Sequence, residues 1–454
     1  MRLAIAVFLL AAGASAGTFA TPPSTTNNDD SCDISLQPAA TLLLPYFEVD
    51  FNSPRGAAMQ TLFTIQNVSS LPQIANVTLW TDWGYPAFNF PIFLTGYDVQ
   101  PVNLYDVFAL GALPPTSSKT AVPINPTLGS QPADNDANPN FFPGATAACA
   151  GLPSSLDPQV VSDLRLVFTT GVGAGCASQV GGVHANAIGY ATIDVVANCA
   201  AKNASASDYF TTLLLFDNVL TGDYQILVPR ADKAYAQGGT LVHIRAIPEG
   251  GPAGTVTSTL PYTFYDRYTR GLPVRSIDRR QPLPSTFVPR YIQSGANGFN
   301  TQLKIWRETV NAGACNLSTA QAKTMTIAET VRFDEHENAA IITYPLALVP
   351  PPPPPSTTAA MLVPSTSNLF PPNISRDAGG WMYVNLDNGG SASYSLQRNG
   401  LRRASQNWVI ASFFAEPTYA VELPAIALGN GCSAPAPPSS TPNGFIGPAP
   451  NPTP

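Results

Sequence analysis

Several carboxylates in this chain have the type and spacing needed for acid–base chemistry. Glu48, Asp50 and Asn52 alternate with apolar residues, so a strand there would place all three on one face. Asp82 lies in a second β-like segment, and Asp334 lies in a third. Paired carboxylates across a groove are what a glycosidase requires. The pattern therefore allows a carbohydrate-active hydrolase, whereas an ordinary amphipathic strand with its polar face in water is the commoner outcome.

Two tryptophans stand beside charged residues and could form part of a binding surface. In the segment WTDW (80–83), strand alternation puts Trp80 and Asp82 on one face. Trp306 is followed directly by Arg307 and Glu308. An exposed aromatic ring next to a carboxylate suits a sugar or a peptide, so Trp80, Asp82 and Trp306 are candidate ligand-binding residues. Packing of a tryptophan ring in the core is the more frequent alternative.

The segment FDEHEN (333–338) is a dense polar cluster in a chain with few charges. Its carboxylates, Asp334, Glu335 and Glu337, could bind Ca²⁺ through oxygen ligands. A solvated hairpin loop is the simpler interpretation. A calcium site would make the chain a calcium-stabilised adhesion protein whose melting temperature falls when a chelator is added. No other cofactor is expected.

Six cysteines indicate disulfide bonds rather than a metal site. None of their spacings approaches C-x-x-C, so a zinc or thioredoxin-like motif has no support. An even number in an exported chain favours up to three disulfides, and the connectivity stays open. Our hypothesis pairs the first and last cysteines, closes one local loop and joins the remaining two: Cys32 with Cys432, Cys149 with Cys176, and Cys199 with Cys315.

The N-terminus has the pattern of a signal peptide. Arg2 precedes a short apolar run, and Ala14-Ser15-Ala16 forms a cleavage site, with a second choice after Ala20. The run is too short for a membrane-spanning helix of about 20 residues. This predicts a secreted or periplasmic protein without membrane insertion.

The elements that must position these residues are mostly short β-like runs separated by turn residues. The clear exception is a helix, since Asp157 can cap its start, Pro158 suits its first turn and Gly171 can end it. Many short strands with one or two short helices predict an all-β, immunoglobulin-like β-sandwich architecture, with two packed sandwiches. The predicted division of the chain is 1–16 signal peptide, 17–31 flexible segment, 32–108 first sandwich region, 109–157 Pro/Gly-rich loop region, 158–432 second β region with late strands able to complete the first sandwich, and 433–454 disordered tail.

Composition narrows the classes of partner. Of the 454 residues only 11% are charged, against about 25% in an ordinary soluble domain. The net charge of −7 argues against nucleic acid, which requires clustered Lys and Arg. Hydrophobic residues make up 44% of the chain, which is enough for a sizeable core.

Seven stretches, taken together and in order, resemble an uncharacterised family of exported bacterial proteins. They are LLPYFEVDF (43–51), LWTDW (79–83), LTGYDVQ (94–100), GYATIDVV (189–196), FYDRY (264–268), LKIWRET (303–309) and FDEHEN (333–338). The resemblance runs from about residue 42 to about residue 428 and implies a bacterial source and a shared, mainly β fold. It brings no catalytic residue with it. The family's last stretch is acidic where this chain has His336, which weakens a metal role.

These observations favour a secreted, non-catalytic β-sandwich protein with a structural or binding role at the cell surface or outside the cell. A carbohydrate or a surface protein would be its partner. The hydrolase and the calcium-stabilised adhesion protein are the alternatives.

Overall fold

The computed structural model is mostly β, with few helices and several antiparallel sheets. The structure describes residues 34–69, 71–115, 149, 153–173, 175–206, 208–229, 235–247, 263–265, 278–284, 286–292, 300–308, 315, 329–336, 339–342, 358–363, 379–386, 406–415 and 419–427. The predicted signal peptide, flexible segment and tail (1–16, 17–31 and 433–454) lie outside these residues, as does most of 109–157.

The first two sheets combine strands from distant parts of the chain. In spatial order the first sheet contains β10 (Val242–Ile244), β1 (Thr41–Val49), β6 (Ala187–Val195), β3 (Gln73–Thr81) and β4 (Pro86–Leu94). The second contains β5 (Val99–Asn103), β2 (Gln60–Asn67), β8 (Asp223–Val228) and β9 (Tyr235–Thr240), with β7 (Leu220–Thr221) paired to β2. Strands from both sides of residues 109–157 therefore share each sheet, and that segment does not separate one sheet from the other.

The other two sheets come from the later part of the chain. The third sheet contains β16 (Thr358–Val363), β13 (Asn300–Arg307), β18 (Asn407–Ala415) and β19 (Tyr419–Pro424). The fourth contains β15 (Ala339–Ile342), β14 (Glu329–Asp334), β17 (Gly379–Asn385), β11 (Thr286–Val288) and β20 (Ile426–Ala427), with β12 (Arg290–Ile292) paired to β17. Every pairing among the described strands is antiparallel.

One hydrophobic core joins all four sheets. Leu44 of β1, Phe63 of β2, Ile305 of β13 and Phe287 of β11 belong to the same buried cluster. A second, small cluster of Val331, Phe333 and Tyr383, with Trp381 against it, lies between β14 and β17. The sheets are therefore held together by shared apolar burial, which is the main favourable term in folding.

The predicted helix is confirmed as α1 (Pro158–Thr170). The Asp157 side chain caps it by accepting the backbone N–H of Gln159 at 2.8 Å, and Gly171 ends it in the left-handed region at φ 68°. A Cβ on Gly171 would lie 1.9 Å from the carbonyl oxygen of Gly181. Glycine is thus required there both for its backbone conformation and for the close approach of the 180–184 segment.

Proline and asparagine account for two differences from the sequence pattern. The pattern did not predict β4, whose Pro86 and Pro91 discourage a strand, and the structure accommodates them at the edge of the first sheet. The alternating run Val102–Phe108 predicts a strand, but this prediction is wrong beyond Asn103, where β5 ends. The Asn103 side chain accepts the N–H of Tyr105 at 2.9 Å, and the chain turns into a wide helical turn at Asp106–Leu110.

Four of the cysteines form two disulfides, but with other partners than predicted. Cys149 pairs with Cys199, and Cys176 pairs with Cys315. The predicted pairs Cys149–Cys176 and Cys199–Cys315 are therefore wrong, because sequence spacing does not report which chain segments the sheets bring together. Cys32 and Cys432 lie outside the described residues, so their pairing stays a prediction.

Candidate functional site

Polar side chains from three neighbouring strands meet at one end of the first sheet. The strand β6 runs antiparallel to both β1 and β3, with Glu48 opposite Ile188 and Thr81 opposite Gly189. The start of β6 therefore lies between the ends of β1 and β3. This topology brings Glu48 and Asp82 to the segment that precedes β6.

Asp82, directly after β3, binds this segment with both carboxylate oxygens. Its Oδ1 accepts the backbone N–H of Gly182 at 2.8 Å, and its Oδ2 lies 2.9 Å from Nε2 of His184. Only 2% of the Asp82 side chain is exposed, against 19% for His184. With Asp82 ionised, Nε2 carries the proton and donates it, and Nδ1 makes no hydrogen bond to any described residue.

Gly182 is the residue that allows this close packing. A Cβ at position 182 would lie 2.5 Å from Nε2 of His184 and 2.7 Å from Oδ2 of Asp82. Any side chain there would push the two partners apart. The glycine is thus needed for contact between the carboxylate and the imidazole.

Glu48 is held in a similar way on the neighbouring strand. Its Oε1 accepts an N–H of the Asn186 side chain and its Oε2 accepts the hydroxyl of Tyr46, both at 2.7 Å. The pairing of β1 with β6 shifts register between Leu44 and Phe47, which indicates a bulge at Pro45-Tyr46. A bulge can accommodate a proline, and it changes the direction of the side chains that follow it in the strand.

The charges of these groups act on one another. Although burial lowers the pKa of His184, its hydrogen bond to Asp82 and the charges of Asp82 and Glu48 raise it to a net value above the ordinary 6.5. Burial and then the negative charge of Glu48 raise the pKa of Tyr46 well above its usual range. Tyr46 is therefore a neutral donor at physiological pH, and the protonated form of His184 is favoured by its surroundings.

A buried ion pair continues this polar region into the second and third sheets. Lys304 of β13 pairs with Glu422 of β19, and the Lys304 Nζ lies 5.6 Å from the centre of the Tyr46 ring. Glu422 also accepts the hydroxyls of Ser412 at 2.8 Å and of Tyr224 at 2.6 Å. Hydrogen bonds of this kind are what make a buried charge tolerable.

A second polar centre, the Asp194 network, lies deeper in the core. Asp194 accepts the hydroxyls of Thr41, Tyr209 and Tyr265 at 2.6 to 2.7 Å. The guanidinium of Arg280 lies 4.0 Å from Asp194 and donates to Thr41, and both charged side chains are fully buried. Its groups hold one another and have no access to solvent.

The predicted ligand-binding tryptophans belong to the core. Trp80 and Trp306 are each 0% exposed and contact the same ring, that of Tyr190. Trp80 stacks on it at 5.7 Å between centroids, and Trp306 meets it edge-on at 5.8 Å. Buried rings cannot contact a ligand from solvent, so the structure does not support Trp80 and Trp306 as ligand-binding residues. Asp82, the third predicted residue, contacts the partly exposed His184.

The remaining predicted carboxylates, Asp50 and Asp334, accept backbone hydrogen bonds within local turns. Asp50 accepts the backbone N–H groups of Asn52 and Ser53 at 2.9 and 3.1 Å. Although partial burial raises its pKa, hydrogen bonds from Ser53 and Asn52 lower it to a net value below 3.8. Asp334 ends β14 and accepts the N–H of His336 at 2.8 Å, in the turn that leads to β15.

No group of three side chains suited to a metal ion occurs within the described part of the chain. Asp334 and Glu335 are described, whereas Glu337 is not. The predicted set of Asp334, Glu335 and Glu337 thus lies partly outside the structure, and the calcium site stays a prediction.

His184, like Tyr46 and Asn186, belongs to the site although the sequence did not single it out. It lies in a glycine-rich segment, 102 residues from Asp82 in the chain. The usable signal was the pair Gly181-Gly182, two residues before one of only three histidines, because paired glycines allow close backbone approach.

The helices of the described residues include none that is long and apolar enough to cross a membrane. The two disulfides are consistent with an extracellular protein. Secretion itself stays a prediction.

Comparison with known proteins gives no relative from which a function could be transferred. No family model, no curated protein and no solved structure matches this chain. The resemblance to exported bacterial proteins therefore stays a prediction, and the functional argument depends on the geometry of the described residues.

Proposed function

We propose that this chain is an exported, disulfide-supported protein with a non-catalytic structural or binding role at the cell surface or outside the cell. One observation carries this proposal: the carboxylates at the sheet end already have protein donors on both oxygens. Glu48 binds Asn186 and Tyr46, while Asp82 binds Gly182 and His184. A catalytic acid or nucleophile needs an oxygen that faces the substrate.

The finer architecture is part of this proposal. Four antiparallel sheets that share one core support a β-sandwich arrangement, since sandwiches pack sheets face to face over apolar side chains. An immunoglobulin-like topology is the specific form we propose. An experimental structure in which these sheets do not pack face to face would overturn it.

The proposed location has a direct test. The signal-peptide pattern predicts that the mature chain begins at Gly17, or at Thr21 if the second cleavage site is used. Intact-mass measurement of the protein recovered from culture medium or periplasm should give one of these two N-termini. Recovery of the uncut chain from the cytoplasm would contradict the proposal.

A carbohydrate-active hydrolase is the second candidate. It is favoured by the position of Glu48 and Asp82 at one sheet end, where both charges act on His184. For this function one of the two carboxylates would have to exchange a protein donor for substrate.

A cleavage assay separates the two functions. The full chain is incubated with a panel of polysaccharides and the release of reducing ends is measured. We expect the native chain and its Glu48→Gln and Asp82→Asn variants to release none. Release by the native chain that both variants lose, and that the Asp223→Asn variant of an exposed carboxylate keeps, would establish the hydrolase instead.

A further inference from the structure

The 180–184 loop is held to its surroundings at both of its ends. The Thr81 hydroxyl donates to the carbonyl of Val180 at 2.5 Å, and Asp82 accepts from Gly182 and His184. At the end of α1, the backbone N–H of Val180 donates to the carbonyl of Gly171 at 2.7 Å. The backbone N–H of His184 donates to the carbonyl of Thr169 at 2.8 Å. The loop therefore closes over the ends of β3 and α1.

His184 is the member of this set that titrates near neutral pH. Its side chain is 19% exposed, so protons and water reach it, whereas Asp82 is almost fully enclosed. The contact between them is a charge-assisted hydrogen bond when His184 is protonated and a weaker one when it is neutral. The strength with which Asp82 holds the loop therefore depends on one exchangeable proton.

The charges that face His184 come from two strands and favour its protonated form. Asp82 follows β3, and Glu48 lies on β1 beside the neutral hydroxyl of Tyr46. Directly before β6, the side chain of Asn186 is uncharged and donates to Glu48. Both charges are negative, so loss of the proton leaves two carboxylates near a neutral ring.

The charged residues of α1 are directed elsewhere. Arg165 donates to the carbonyls of Phe108 and Ala109, both at 2.6 Å. Asp163 accepts from the side chain of Gln159 at 2.8 Å. The helix therefore contributes its backbone carbonyls to the loop, and its charged side chains are engaged with other partners.

We propose that the protonation of His184 controls the opening of the 180–184 loop, which is closed in mildly acidic medium and opens more often as the medium becomes alkaline. The pKa of His184 in the folded chain lies above 6.5, so the closed loop gains its full stabilisation below that pH. The gain is lost as the pH rises through the folded pKa. A chain exposed to the external medium would experience such changes directly.

Hydrogen exchange of the loop amides tests the proposal in the full chain. The exchange rates of Gly182 and His184 are measured between pH 5 and pH 9 and corrected for the intrinsic pH dependence. We expect the protection of both amides to fall about fivefold as His184 loses its proton, because a charged hydrogen bond exceeds a neutral one by that order. The midpoint should coincide with the titration of the His184 ring, followed by NMR in the same sample.

Two variants complete the experiment. In His184→Gln the side chain can still donate to Asp82 but no longer titrates, so the protection of Gly182 should become independent of pH. The matched control is His336→Gln, at the exposed turn after β14, which should keep the native profile. Protection that does not change with pH in the native chain would overturn the proposal. So would a pH-dependent profile that persists in His184→Gln, or a midpoint that differs from the ring titration.

Discussion

The Asp82–His184 pair and the Asp194 network both depend on one carboxylate, but in different surroundings. Asp194 accepts three hydroxyls beside Arg280, and every one of these groups is fully buried. Asp82 accepts one backbone N–H and one imidazole that is 19% exposed. Hydroxyls and a guanidinium keep their protons at any physiological pH, whereas an imidazole does not.

This contrast separates a fixed polar centre from an adjustable one. Burial raises the pKa of Tyr209 and Tyr265 well above their usual range, and the charge of Asp194 raises it further. Tyr209 and Tyr265 therefore stay protonated donors at physiological pH, and the Asp194 network stabilises one packing of the sheets. The Asp82–His184 pair has two states within the physiological range, which is the property that a responsive surface loop needs.

The largest predicted effect comes from removing the charge at the fixed centre. We expect Asp194→Asn to lower the free energy of unfolding by about 3–5 kcal/mol, because three buried hydroxyls lose a charged acceptor and Arg280 keeps only Asp278, at 3.6 Å, as a buried counter-charge among the described residues. Asp82→Asn should cost only about 1–2 kcal/mol, since water can reach His184. Urea denaturation measures both, with Asp223→Asn as the exposed control. Equal losses for Asp194→Asn and Asp82→Asn would remove the distinction between the two centres.

A backbone substitution at the loop is the next test in order of size. Gly182→Ala would place a Cβ 2.5 Å from Nε2 of His184, so we expect a loss of about 1–3 kcal/mol in the free energy of unfolding. The matched control is Gly56→Ala, where a Cβ meets nothing within 4 Å. Thermal or urea unfolding of the two variants gives the comparison. A Gly182→Ala variant as stable as Gly56→Ala would show that the close contact contributes nothing.

Local sequence signals predicted the elements better than the contacts between them. The helix start at Asp157-Pro158 and its end at Gly171 follow from capping chemistry within a few residues, and both were correct. Strand alternation predicted one polar face of Glu48, Asp50 and Asn52, but β1 ends at Val49, so only Glu48 lies on the strand and Asp50 accepts hydrogen bonds in the turn that follows.

The contacts that build the site could not be predicted in this way. Asp82 meets His184 because β6 inserts between β1 and β3, and no pattern in the sequence states that order. The same order determines which cysteines meet. For Trp80 and Trp306 the sequence made core packing the commoner outcome but left a binding surface open, and the packing around Tyr190 places both rings in the core.

The smallest predicted effect concerns two histidines, His243 and His184, whose surroundings differ. His243 is buried, donates from Nδ1 to the carbonyl of Gln37 and accepts the N–H of Gly222 at Nε2, so its neutral form is built into the fold. Burial lowers its pKa below 6.5, although backbone hydrogen bonds oppose the shift. Its contribution to stability is therefore present above pH 6.5 and is lost as the pH falls through the folded pKa, which is opposite to His184.

The free energy of unfolding, measured by urea denaturation from pH 5 to pH 9, separates the two histidines. We expect His184→Gln to flatten the alkaline side of the profile by about 1 kcal/mol, because the charged hydrogen bond to Asp82 is stronger than a neutral one. His243→Gln should flatten the acidic side by about 1 kcal/mol, because the native ring has to become charged while it is buried. His336→Gln should leave both sides unchanged, because its ring is exposed. If both substitutions changed the same side of the pH profile, the burial of His243 and the carboxylates near His184 would not explain how the two rings titrate. The difference between a fixed and an adjustable polar centre would then not apply to the two histidines.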